Sequence, residues 1–82
     1  MRVVTLYTRP GCHLCDEARE AIQEARSELP EFELREVDIE ADAALHALYL
    51  ERIPVVQVDG DIVSELRIDL ARLRRSLDTV RP

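Results

Sequence analysis

The stretch Tyr7-Thr8-Arg9-Pro10-Gly11-Cys12-His13-Leu14-Cys15 joins the end of a short apolar segment to the start of an amphipathic one, and it carries both cysteines of the chain. Residues 2 to 7 are rich in β-branched and aromatic types, which reads as a buried strand, and Pro10-Gly11 breaks it. Beyond the break, Leu14, Ala18, Ala21, Ile22, Ala25 and Leu29 recur at steps of three and four. They form the apolar stripe of a helix whose other face holds Glu17, Arg19, Glu20, Gln23, Glu24 and Arg26, and Pro30 stops it. The stretch is thus a strand-to-helix connection with two cysteines, separated by two residues, at the helix start.

Outward from it, Phe32 to Ile39 has strand character, with an alternation that slips between Leu34 and Val37 and points to a bulge. Asp42 is placed to cap a second helix running to about Leu50, with Ala43 or Ala44, Ala47, and Leu48 or Leu45 facing inward. That helix ends before Ile53-Pro54. Pro54 to Val58 and Ile62-Val63 flank Asp59-Gly60-Asp61, where the Asp-Gly step supplies the positive φ angles of a tight hairpin. Asp69 then caps a last helix with a stripe of Leu70, Leu73, Leu77 and Val80, and with Arg72, Arg74 and Arg75 outside. The order is βαβαββα. A right-handed first crossover makes the first two strands parallel, the hairpin adds the antiparallel half, and three helices flank a four-stranded mixed sheet in one α/β domain over residues 1–82. In such sheets sites gather beyond the carboxyl ends of the parallel strands, where both cysteines fall.

The chain has 82 residues and a formal net charge of −6, with arginine as its only strongly basic residue type. This charge argues against a nucleic-acid partner. No apolar stretch approaches the roughly 20 residues of a membrane span, and the first residues are too few and too polar for a secretory signal, so a cytoplasmic location is expected. A disulfide across so small a loop removes little chain entropy, which makes a purely structural staple a poor explanation for the pair. Reversible dithiol chemistry fits better. Cys12, beside the unpaired N–H groups and positive dipole end of a helix, is the expected nucleophile, its pKa drawn from about 8.5 toward about 7 or below. Cys15, one turn inside, is the expected resolving thiol. His13, if protonated, would favour a Cys12 thiolate, whereas Asp16 and Glu17 would oppose it.

Through Tyr7 to Cys15 and the later Ile53-Pro54-Val55-Val56, the chain resembles the glutaredoxin-like branch of the thioredoxin superfamily, over essentially its whole length. It is most similar to the small bacterial group with Cys-His-Leu-Cys-Asp in the active-site turn, here Cys12 to Asp16. The resemblance implies a thiol–disulfide oxidoreductase that reduces protein or glutathione disulfides, with glutathione or a thioredoxin-type reductase as its source of electrons, and with no organic cofactor or metal. It also implies a cis Ile53-Pro54 bond opposite the dithiol, a partner surface made by His13, Leu14, Ile53 and Pro54, and Arg9 where glutaredoxins place a basic residue for a glutathione carboxylate. One departure limits this. Where glutaredoxins commonly carry Gly-Gly after the hairpin, this chain reads Val63-Ser64-Glu65-Leu66, whose side chains would obstruct backbone approach, although Arg67 and Asp69 could form a different pocket.

Two other classes compete. Cys12, His13 and Cys15 are potential ligands for a metal or an iron–sulfur cluster, but with His46 far off in sequence one chain offers too few donors for a closed tetrahedral site. A redox-inactive adaptor built on the same fold is the other, since fold alone does not establish activity.

Overall fold

The computed structural model describes residues 1–78. Strand β1, Arg2–Thr8, is the hub: β2, Phe32–Asp38, pairs with it in parallel on one side, and β3, Val55–Val58, antiparallel on the other. Strand β4, Asp61–Glu65, completes the order β2-β1-β3-β4. The helices are α1, His13–Ala25, α2, Ala43–Tyr49, and α3, Leu70–Asp78. This is the expected mixed sheet with three helices. Val80, expected in the stripe of the last helix, lies outside the described residues.

Alternation along β1 sorts the molecule into two apolar layers. Val4 and Leu6 are fully buried with Ala18 and Ile22 of α1, Phe32, Val56, Val58, Val63, and Leu73 and Leu77 of α3. On the opposite face Tyr7 joins Ile39, Tyr49, Ile53 and Val55, and this smaller layer also contains Cys12 and Cys15. A strand side chain alternates faces at every residue, so β1 serves both layers at once.

The slip in β2 has a different origin from a bulge. Its pairing with β1 runs one-to-one from Arg2 opposite Phe32 to Thr8 opposite Asp38. Phe32 and Leu34 stand beside the larger layer while Val37 pairs with Tyr7 on the other face, so both faces of this edge strand meet apolar neighbours and the simple alternation breaks. The irregularity of the sheet lies between Val56 and Gln57, where β4 shifts register. Helix α2 also differs from expectation. Its buried residue is Tyr49, with Leu45 packed beside it, whereas Ala43, Ala44, Ala47 and Leu48 are exposed. An aromatic ring fills the space over the small layer that alanines would leave empty.

The local signals at the element ends hold. Asp42 Oδ1 accepts from the amides of Ala44 and Leu45 at 2.8 and 3.1 Å, and Asp69 Oδ1 accepts from Arg72 N at 3.0 Å. Asp59 and Gly60, at φ of 50° and 92°, form the two-residue hairpin turn. Asp59 also ties that turn to β1, since its Oδ1 accepts from Val3 N at 3.0 Å and its own N–H donates to Val3 O.

Candidate redox site

The carboxyl end of β1 leads through Arg9, Pro10 and Gly11 into α1, and Gly11 takes φ of 79°, a backbone region that glycine enters without a Cβ penalty. Cys12 is the N-cap of α1. Its Sγ accepts from Cys15 N at 3.1 Å, and its carbonyl accepts the first helical bond from Asp16 N. The two sulfurs are joined as a disulfide with Cα atoms 5.2 Å apart, so the pair expected to interact does so. The environments of the two differ. Cys15 is fully buried against Ile39, Tyr49, Ile53 and Val55, whereas Cys12 is half-buried at the rim.

Ile53 packs in the same layer as the cysteines, Pro54 next to it is fully buried, and the Ile53-Pro54 peptide is cis, as the resemblance implied. Their loop is held at both ends: Ile53 N donates to Tyr49 O at 3.0 Å, and Leu66 N donates to both Arg52 O and Pro54 O at 3.0 Å. Arg52 and Glu65 add a two-pronged ion pair across the same junction. That contact keeps Glu65 below the usual carboxylate range and raises Arg52. Glu65 is therefore a paired charge.

His13 and Leu14 are the first two residues of α1, His13 in solvent and Leu14 half-buried. Arg9 is turned toward Glu40, 3.6 Å from its carboxylate, at the edge of a polar cleft that Asp16, Arg19, Glu36 and Asp38 also line. Asp16, one of the acids expected to oppose a thiolate, meets Arg19 at 2.8 Å, and Arg19 continues to both oxygens of Glu36 at 2.5 and 2.9 Å. The structure thus brings Cys12, Cys15 and Ile53 together, buries Pro54 next to Ile53, keeps Leu14 half-buried in the turn between the cysteines, and leaves Arg9 and His13 outside the buried layer. Asp69 is occupied as a helix cap, while Arg67 lines a groove with Leu14.

Sequence reasoning missed the aromatic floor. Tyr7 and Tyr49 pack with ring centroids 4.9 Å apart, and Gln57 links them, accepting from Tyr7 Oη at 3.4 Å and donating to Tyr49 Oη at 3.1 Å. Burial, with the Tyr49 phenol beside it, pushes the Tyr7 phenol up. The spacing of Leu45 and Tyr49 on α2 carried this signal. Leu66 was missed as well, and nothing in a leucine announces its φ of 66°. Among the described residues, no three of His, Cys, Asp and Glu gather into a group able to hold a metal ion, and no helix is long and apolar enough to cross a membrane.

A mixed sheet in the order β2-β1-β3-β4, with paired cysteines at the carboxyl end of β1 facing a cis-proline loop, defines the thioredoxin-like α/β class. A thioredoxin of Halobacterium salinarum shares the fold, at 22% identity and a TM-score of 0.63 over 99% of this chain and 78% of that one. Residues 3–78 match the family model of the glutaredoxin-like domain DUF836, and the chain belongs to that family. A glutaredoxin-like protein of Dictyostelium discoideum is 33% identical over 94% of this chain and 76% of its own length. The X-ray structure of the X. campestris protein XcR50 is 40% identical, with a TM-score of 0.73 over 95% of this chain and 99% of that one. Fold, family and the adjacent cysteines support a redox-type role.

Proposed function

We propose that the protein is a thiol–disulfide oxidoreductase in which Cys12 attacks and Cys15 resolves. The observation that carries this reading is the asymmetry of the pair: Cys12 sits at the helix rim with an amide aimed at its sulfur, and Cys15 is sealed in the core. In the reduced protein the same amide would make a charge-assisted hydrogen bond to a thiolate. The Cys12 thiolate attacks one sulfur of a substrate disulfide, forming a mixed disulfide and releasing the first substrate thiol. Cys15, deprotonated as it reacts, attacks the Cys12 sulfur, releasing the second substrate thiol and closing the Cys12–Cys15 disulfide. Two electrons pass from the protein dithiol to the substrate, and two protons complete its thiols. An external thiol reductant, glutathione or a thioredoxin-type reductase, reopens the protein disulfide.

Ile53, whose amide is held by Tyr49 O, would pair with the bound partner through its carbonyl beside Pro54, and Leu14 and His13 would border it. Protein disulfides are favoured over glutathione as substrates, because Ser64 is buried, Glu65 is locked to Arg52, and Arg9 is engaged by Glu40. A reducing, cytoplasmic setting suits this cycle.

A Cys15→Ser variant should accumulate a mixed disulfide at Cys12, read as a mass increase that dithiothreitol removes, while Cys12→Ser should accumulate none. Trapping on the second variant and not the first would reverse the roles. The wild-type pair should titrate between about −180 and −280 mV, the span of cellular dithiol carriers.

A further inference from the structure

A groove of about 290 Å³ runs between α1 and the connection from β4 to α3. Leu14, Ala18 and Ala21 form its helix side, and Leu66 and Ile68 its other wall. Leu14, between His13 and Cys15 in sequence, ties this lining to the turn that carries the cysteines. Leu66 is half exposed in a left-handed conformation that a bulky side chain seldom takes, and the two hydrogen bonds from its amide hold it there.

Charge distinguishes the two rims. Glu17 borders the groove on the α1 side, and Glu20 and Glu24 follow it along the helix, all exposed and without an ion pair among the described residues. The arginines of α1 and its extension cannot balance them, since Arg19 serves Asp16 and Glu36, and Arg26 bonds Phe32 O while covering its ring. The opposite rim carries the cation of Arg67.

We propose that this groove selects the substrate: it takes an apolar side chain of a protein disulfide partner close to the reactive cysteine, with a basic residue of the same segment directed at the acidic edge of α1. The inference rests on the reading of Cys12 as the attacking thiol. Apolar contact supplies the affinity, because the groove walls lose water when a side chain enters. The acidic edge orients the segment and rejects acidic ones.

The test uses short cysteine peptides as mixed disulfides with 2-nitro-5-thiobenzoate, whose release is followed by absorbance, and hydroxyethyl disulfide as a small substrate without side chains. Wild-type protein, reduced beforehand, should react with a peptide carrying arginine and leucine next to cysteine about tenfold faster, in second-order rate constant, than with one carrying glutamate and alanine there. Leu66→Gly, which suits the left-handed backbone, and Ala21→Met, which fills the groove from the helix, should each reduce that ratio to about threefold or less. Loss of the preference in either folded variant supports the groove. Equal rates for the two peptides on a wild-type protein that reduces hydroxyethyl disulfide, or an unchanged ratio in both variants, would overturn the groove and leave the oxidoreductase standing. A wild-type protein that reduces none of the substrates would remove both.

Discussion

Leu66, which follows Glu65 at the end of β4, is an unfavourable choice for its conformation that the surrounding structure holds in place. A leucine in the left-handed region costs about 1–2 kcal/mol from the crowding of its Cβ against the backbone. Its amide, however, satisfies two carbonyls of the Ile53-Pro54 loop, so the strained residue closes the junction between the last strand and the proline turn. Glu65 contributes to the same junction through Arg52. Because its folded pKa lies below its unfolded value, the stabilisation it brings is complete above about pH 4.3 and is lost as pH falls through the folded pKa. Glu65→Gln has no such titration. The wild type should therefore lose stability more steeply than Glu65→Gln when urea midpoints are compared from pH 5 down to pH 3, and parallel acid limbs would show that the pair carries no net coupling. High salt should narrow the difference, since both side chains meet solvent.

The elements are governed by their ends. Helix α2 has seven residues, too short to persist without help, and two of its first amides are satisfied by Asp42. Asp42→Ala should cost about 1 kcal/mol in a urea melt, and amide exchange should rise first in Ala44 and Leu45. The effect should extend to the redox site, because α2 ends at Tyr49, whose carbonyl holds both Arg52 and Ile53. Helix α1 is organised differently: its N-cap is a cysteine sulfur, so the residue expected to do chemistry also finishes the helix. Cap and site coincide.

At the scale of the molecule, one strand supports two unequal layers, and the division of labour follows from their sizes. The larger layer, around Leu6, Ile22, Phe32 and Leu73, supplies most of the apolar burial; the smaller, around Tyr49, Ile53 and Val55, holds the dithiol. Ile22 is fully buried, and Ile22→Ala should destabilise by about 2–5 kcal/mol, measured as a lower urea midpoint at unchanged slope. In so small a chain that is a large share of the margin. Much of this architecture is legible locally. Steps of three and four mark α1 and α3, an Asp-Gly step marks the hairpin, aspartates mark two helix starts, and two cysteines with two residues between them at a strand-to-helix break mark the site. These are near-neighbour effects, set by backbone sterics, capping and the period of a single element. β2 carries no bulge: an edge strand touched by apolar side chains on both faces imitates a broken alternation. Tyr49 was passed over because several alanines satisfied the helical period, and only the depth of the space above Tyr7 favours the larger ring. The order of elements, several of their ends and the pairing of Cys12 with Cys15 follow from the sequence alone. Only the assembled fold shows that Ile39, Tyr49, Ile53 and Val55 seal Cys15, that Glu65 pairs with Arg52, and that Leu66 faces Leu14 across a groove: burial and long-range pairing depend on which surfaces the fold brings together, and no local spacing encodes that.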